Sequence, residues 1–267
     1  MVQHHFGLKY IPLGKDCPSL WMNDSLSSLK QSVINLSHSP GVGLLTGEPG
    51  VGKTAALRHL TAALNPHQYP VFYLAETLFT SADVYRQIAQ NLGIVPHYRF
   101  AQLWRDIKTH IKERVEHKQN TPIFIIDEAQ NLSNHFFQGF PSFLNFAFDA
   151  KDMMTVWFVG HPILNSIINR TTNVALANRI QVRHQLLPII DRERFRQLIE
   201  HAFTEAGCQT RLLSDSGIEL LRVASGGKAR LAHHILVGAL ELATQKKIQH
   251  LPDDVLTTAI AQLKGVN

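Results

Sequence analysis

The sequence predicts an α/β fold, a parallel, doubly wound sheet flanked by helices, with a small all-α domain at its C-terminal end. Three observations predict it. An apolar run, Val42 to Leu45, leads into Gly47-Glu48-Pro49-Gly50-Val51-Gly52-Lys53-Thr54, a complete G-x-x-x-x-G-K-[ST] loop, and a helix-forming stretch, Ala55 to Leu64, follows it. Further on, Pro122-Ile123-Phe124-Ile125-Ile126-Asp127-Glu128 is a short apolar run that ends in two acids. A run of that kind suits a central parallel strand buried on both faces. Strand and helix patterns alternate as far as Pro188, and from Asp191 onward the pattern is helical throughout.

The elements follow in order. Residues 1–40 read as a lead-in that packs on the α/β domain, with Phe6, Tyr10, Pro12 and Trp21 and then an amphipathic helix near Asp24 to Leu36. The α/β domain occupies 41–188. After the strand at Val42, Val71 to Leu74 is the next strand, and a helix carrying Val84, Ile88 and Leu92 on one face follows it. A helix over 101–116 leads to the acid-bearing strand. Met153 to Val159 and Ile180 to Leu187 complete five strands. The helical domain, 189–267, shows apolar faces at Phe195-Leu198-Ile199-Ala202, Ile218-Leu221-Val223, Leu231 to Ala243 and Val255 to Leu263. The phenylalanines at 136, 137, 140, 143, 146 and 148 read as core packing of a helix after the acidic strand, with an interface between protomers as the alternative.

Composition narrows the function classes. The chain has 267 residues, 45% hydrophobic and 18% charged, which is ordinary for a globular protein and enough for one α/β core plus a small second domain. No apolar run approaches the roughly 18–20 residues that cross a bilayer, and Met1-Val2-Gln3-His4-His5 lacks a signal-peptide core. Cys17 and Cys208 do not form a disulfide framework, so the expected setting is the cytoplasm, with no membrane partner. The pairs His4-His5 and His233-His234 lack companion ligands at metal spacing.

The net charge is +5, with a sequence pI near 9.3. From Ile189 onward there are 10 Lys and Arg against 9 Asp and Glu, leaving 16 against 12 in the first 188 residues. The excess therefore sits in the α/β part, where Arg105, Lys108 and Lys112 form a solvated stripe beside the buried face of Trp104, Ile107 and Ile111. Such a stripe suits a polyanion, or simply a soluble surface.

The loop and the acids carry the chemistry. A glycine-rich turn between strand and helix aims several backbone N–H groups, and the positive end of the helix, at one anion. The stretch from Gly47 through Glu48, Pro49, Gly50, Val51, Gly52, Lys53 and Thr54 to Ala55 is therefore expected to hold ATP. Lys53 reaches the β- and γ-phosphates and the Thr54 hydroxyl sits on Mg²⁺. Asp127 is expected to hold the same Mg²⁺ through water, and Glu128 to orient or deprotonate the attacking water. Adjacent acids at this place point to hydrolysis; the alternative is that they merely cap the following helix.

The two motifs and the sheet-plus-helical-lid layout resemble the AAA+ ATPases, P-loop NTPases. More narrowly, Phe6-Gly7-Leu8 with Pro12, Leu45-Thr46-Gly47-Glu48, Ile126-Asp127-Glu128-Ala129-Gln130, Val159-Gly160-His161-Pro162 and Asn178-Arg179-Ile180 resemble the ExeA/GspA-type group. That group includes secretion-pathway ATPase domains and transposition regulators of the TniB, TnsC, MuB and IstB kind. The resemblance implies that Arg179 is an arginine finger reaching a neighbouring subunit, with Arg170 and Arg183 as nearby competitors. It places a first sensor at His161, where Asn, Ser or Thr is common, and a second sensor at Arg230, preceded here by Ala229 rather than proline. It points to a homo-oligomer, a ring or a filament, on double-stranded DNA, contacting it through Thr77, Thr80, Tyr98, Arg99 and Arg105, and to a transposase as partner. The alternatives are a secretion-assembly ATPase and a nucleotide switch in DNA maintenance. Secretion members of this type continue into a membrane helix and a wall-binding domain, which favours transposition for this chain.

Overall fold

The computed structural model describes residues 2–75, 80–208 and 210–265. The elements run α1 (Val2–Phe6), α2 (Asp24–His38), β1 (Val42–Gly47), α3 (Lys53–Ala62), β2 (Val71–Leu74), α4 (Ser81–Asn91), α5 (Phe100–Lys118) and β3 (Ile123–Ile126). They continue with α6 (Asn134–Leu144), β4 (Thr155–Gly160), α7 (Ile163–Ile168), α8 (Val174–Ala177) and β5 (Ile180–Leu186), and then with α9 (Arg192–Glu205), α10 (Asp215–Ser225), α11 (Ala229–Gln245) and α12 (Asp253–Leu263). The chain divides into two compact units, one of Asp24–Gly47 and Ala56–Leu186, the other of Met1–Asn23, Glu48–Ala55 and Leu187–Asn267.

In the first unit the sheet order is β2-β3-β4-β1-β5, and every pairing is parallel. The three inner strands are buried at every position, whereas β2 and β5 alternate in exposure. The sequence shows why. IFII in β3 and TVWFVG in β4 carry almost no polar side chains, while IQVRHQL in β5 alternates them. A strand flanked by two neighbours and covered on both faces needs a continuous apolar run; an edge strand half open to water does not. This α/β architecture, with helices following in the C-terminal part, is the one the sequence predicts.

The phenylalanine cluster is core. Phe136, Phe137, Phe140 and Phe143 lie on α6 at 1% exposure or less, with Phe158 of β4, Tyr85 of α4 and Trp104 of α5 around them. Phe136 stacks on Phe140 at 5.0 Å, and Tyr85 meets Phe143 edge-on at 4.9 Å. Each such ring contributes on the order of 2–3 kcal/mol by leaving water. Phe146 is buried too, but Phe148 is fully exposed.

The second unit is built on α9 to α12. Its core gathers Phe195, Leu198, Leu221, Ile235, Leu236, Leu240 and Leu256, together with Phe6 and Leu8. The first residues are tied in by polar bonds as well. Lys9 N–H donates to the Ala206 carbonyl at 2.8 Å, His5 Nε2 lies 2.8 Å from the Ile248 carbonyl, and His233 Nδ1 lies 2.9 Å from the Pro12 carbonyl. The stretch read from sequence as one lead-in on the α/β domain is thus divided. Its first 23 residues group with the C-terminal helices and α2 groups with the sheet.

Candidate phosphate loop and catalytic acids

The phosphate loop follows β1 directly. Gly50 and Gly52 hold φ of 82° and 101°, values at which only glycine is unstrained and at which successive N–H groups can converge on an anion. Lys53 opens α3 and is only 6% exposed; its Nζ donates to the Glu48 carbonyl across the loop at 3.1 Å. Thr54 is exposed.

Within the same unit the loop is fastened to the start of α11. The Glu48 carboxylate pairs with Lys228 Nζ at 2.7 Å, and Arg230 N–H donates to the Gly50 carbonyl at 3.1 Å. The Gly50 α-carbon lies so close that a Cβ there would sit 3.1 Å from Arg230 Cβ. The predicted sensor stretch Gly227-Lys228-Ala229-Arg230 is therefore a direct neighbour of the loop. Lys228, to which the sequence alone gives no role, carries the ion pair.

The acids lie at the C-terminal end of β3. Asp127 N–H continues the ladder by donating to the Leu74 carbonyl at 2.8 Å. The Asp127 carboxylate is 3% exposed, with Oδ1 accepting from Glu128 N–H at 2.9 Å and Oδ2 accepting from the Tyr73 hydroxyl at 2.8 Å. Glu128 adopts a left-handed backbone, φ 49° and ψ 36°, and its Oε2 accepts from Gln130 Nε2 at 2.6 Å. The ring of His161, just beyond β4, comes within 3.8 Å of the same oxygen through Nε2. The structure therefore brings Asp127, Glu128 and His161 together. Tyr73 and Gln130 join them, and the sequence alone assigns a part to neither.

These donors suit Mg²⁺ carried with a triphosphate. Among the described residues no three His, Cys, Asp or Glu side chains cluster as a self-sufficient metal site. A single buried carboxylate, that of Asp127, suits an ion whose other ligands are mainly phosphate oxygens and water.

The remaining candidates are placed as follows. Arg179 is held in its own unit: Nη2 donates to Asn145 Oδ1 at 2.6 Å and to Asp149 Oδ2 at 2.9 Å. Arg183 donates to Asn165 Oδ1 at 2.9 Å, whereas the exposed Arg170 has no side-chain partner among the described residues. Thr80 caps α4, its hydroxyl paired with Asp83. Tyr98 is 89% exposed, and Arg99 and Arg105 are also exposed. Thr77 lies outside the described residues. The predicted basic stripe is corrected at Lys108. Its ammonium donates to the carbonyls of Ser142 and Asn145 and lies over the Phe146 ring, and burial pushes its pKa below the ordinary lysine value. An amphipathic stem long enough to reach the end of α6 finds unsatisfied carbonyls there, so it leaves the solvated face.

Comparison with known proteins agrees with this architecture. Residues 36–168 match the family model of the AAA domain. Among solved structures, the ORC2 protein of Aeropyrum pernix, with ADPNP and ADP, superposes with a TM-score of 0.72 at 16% identity, covering 99% of this chain and 72% of that one. The chain is an AAA+ ATPase. The ORC1 protein of the same organism, in complex with DNA, gives a TM-score of 0.70 at 16% identity, over 94% of this chain and 68% of that one. At such identities these likenesses speak for the fold of the AAA+ ATPase alone. A sequence relative is the general secretion pathway protein A of Aeromonas hydrophila, 26% identical over 239 residues. The match covers 86% of this chain but only 42% of that protein, so this chain spans less than half of its relative's length. Among the described residues no helix is long and apolar enough to cross a membrane.

Proposed function

We propose that this AAA+ ATPase uses ATP binding to assemble copies of itself on double-stranded DNA, and that the assembly recruits or activates a transposase. Lys53 and the loop N–H groups bind the phosphates. Thr54 and Asp127 hold Mg²⁺, which supplies positive charge at the transferring phosphoryl oxygens. Glu128 takes the proton of, or aligns, the attacking water. Arg179 of a neighbouring copy adds a guanidinium at the γ-phosphate, so that hydrolysis depends on assembly. His161 and Arg230 report on the nucleotide, and hydrolysis releases the assembly.

The observation that carries the DNA reading is the exposure of Tyr98, Arg99 and Arg105, an aromatic ring and two guanidinium groups close in sequence about the start of α5. That combination serves backbone contact to nucleic acid without base readout. The test is duplex binding with and without ATP across a salt series. The expected result is ATP-dependent binding whose log–log salt slope falls by about 0.9 for each phosphate contact removed with Arg99→Ala or Arg105→Ala. Absence of both oligomers and duplex binding in the presence of ATP overturns the proposal.

The relationship to the secretion protein favours a second reading, an ATPase module of a secretion-assembly protein. It expects ATP hydrolysis and self-assembly with no response to DNA, so the same salt series separates the two.

A further inference from the structure

Gln130 lies in the short turn Ala129–Asn131, two residues beyond Glu128, and its side-chain amide spans two elements. Nε2 donates to Glu128 Oε2 at 2.6 Å, and Oε1 accepts from the backbone N–H of His161 at 3.0 Å. The partners fix which end of the amide is which. A flipped amide sets a carbonyl against a carboxylate at one end and an NH₂ against an N–H at the other. The far end of the bridge is built to receive it. A Cβ on Gly160 would fall 2.3 Å from Gln130 Oε1 and 3.0 Å from Leu164 Cδ2, so a residue with a side chain at 160 displaces the amide. Glu128 itself starts from a left-handed backbone, which no residue type other than glycine adopts without cost. Its carboxylate is half exposed, at 47%, so burial does not immobilise it.

We infer that Gln130 is a positioning residue for hydrolysis: its amide ties the Glu128 carboxylate to the end of β4 and holds it in one orientation toward the water. The inference rests on Glu128 acting on that water. A carboxylate on a three-bond stem, half open to solvent, has several rotamers within reach, and misorientation lowers the fraction of bound ATP poised to react. Binding of ATP belongs to other residues, so the loss falls on kcat and not on affinity. Among the described residues the His161 ring also faces this carboxylate, and Gln130→Ala leaves it in place.

The experiment compares Gln130→Ala, Gly160→Ala, their double variant and Glu128→Gln. The readings are steady-state ATPase, the Kd of a fluorescent ATP analogue and thermal melting. Gln130→Ala is expected to lower kcat about tenfold and leave Kd within about twofold and the melting temperature unchanged. Gly160→Ala is expected to do the same by expelling the amide, and the double variant to be no slower than either single. Multiplied losses in the double variant, or a Gln130→Ala enzyme with wild-type kcat while Glu128→Gln is inactive, overturn the inference about Gln130. Normal turnover by Glu128→Gln instead overturns the assignment of Glu128. If Gly160→Ala melts early, Gln130→Ala alone decides: a lowered kcat with Kd and melting temperature unchanged supports the positioning role, and a wild-type kcat, or a loss in Kd as large as that in kcat, overturns it.

Discussion

The ion pair between Glu48 and Lys228 makes a prediction whose two halves have opposite signs. Glu48 belongs to the phosphate loop itself, so its charge opposes a bound triphosphate unless it is neutralised. Lys228 neutralises it at 2.7 Å, but the two side chains are 34% and 49% exposed, so water and salt screen the pair. Exposed pairs of this kind contribute about 0.2–1 kcal/mol. At 1.4 kcal/mol per tenfold, the upper end corresponds to about a fivefold change in Kd. Glu48→Gln removes the opposing charge and leaves Lys228 free beside the loop, so ATP should bind about two- to fivefold more tightly at low salt. Lys228→Met exposes the carboxylate and should weaken binding by a similar factor. The double variant restores neutrality and should return near the parent.

Titration of a fluorescent ATP analogue at roughly 0.05 M and 0.5 M salt measures all four proteins, because the Debye length shortens from above 10 Å to a few Å across that range. The differences should collapse at the higher salt. If Glu48→Gln weakens binding, or if the changes persist at high salt, the pair acts by shaping the loop and the electrostatic argument is wrong.

Three further outcomes follow from the geometry. Phe140→Ala empties a buried ring site and should cost about 3–5 kcal/mol in urea denaturation, whereas Phe148→Ala, on a fully exposed ring, should stay within about 0.5 kcal/mol; equal losses would contradict the assignment of core. Burial depresses the pKa of His184, whose Nε2 lies 2.8 Å from Ser32 Oγ. The folded state then binds fewer protons than the unfolded one below about pH 6.5, so stability is full above that pH and is lost as pH falls toward the depressed value. His184→Gln should flatten that acid-side slope in denaturation midpoints, leaving the part due to His110, which is shifted the same way. Tyr73→Phe deletes one donor to Asp127 and should raise the Mg²⁺ concentration needed for half-maximal ATPase several-fold with little change in the melting temperature; an unchanged Mg²⁺ requirement would leave the hydroxyl without a role.

Sequence carried the sheet well because burial on both faces writes itself into composition. Val42 to Leu45, Ile123 to Ile126 and the stretch around Trp157 are apolar without interruption, and each is an inner strand. It misjudged where β4 begins. Met153 and Met154 are buried yet lie outside the ladder, which starts when Thr155 N–H reaches the Pro122 carbonyl. Apolarity reports burial, not pairing. Phe148 shows the same limit from the other side. Ala147, Phe148 and Asp149 all take positive φ without a glycine among them, so no turn residue announced that this ring leaves the core its neighbours fill. The polar partners of the acids were illegible for another reason. Tyr73 meets Asp127 only because β2 lies beside β3, and Gln130 meets His161 only because β4 lies on the other side. Strand order, not spacing, creates those bonds.

The choice of finger turns on what each arginine gives up. Arg179 must leave Asn145 and Asp149 to reach another copy, while Arg170, without a side-chain partner among the described residues, surrenders nothing. The difference is small, because Asp149 is 56% exposed and an ion pair of that kind is worth at most about 1 kcal/mol. It is still directional. If Arg179 serves in trans, Asp149→Ala removes its competitor and should lower the protein concentration at which ATP drives assembly, by up to about fivefold. If Arg170 serves, the same substitution should leave that concentration unchanged, and Arg170→Ala, not Arg179→Ala, should abolish assembly-dependent hydrolysis. The intramolecular grip on Arg179 would then be a restraint on the turn that carries Phe148, and a proteolysis pattern altered at that turn in Asp149→Ala would be its only trace.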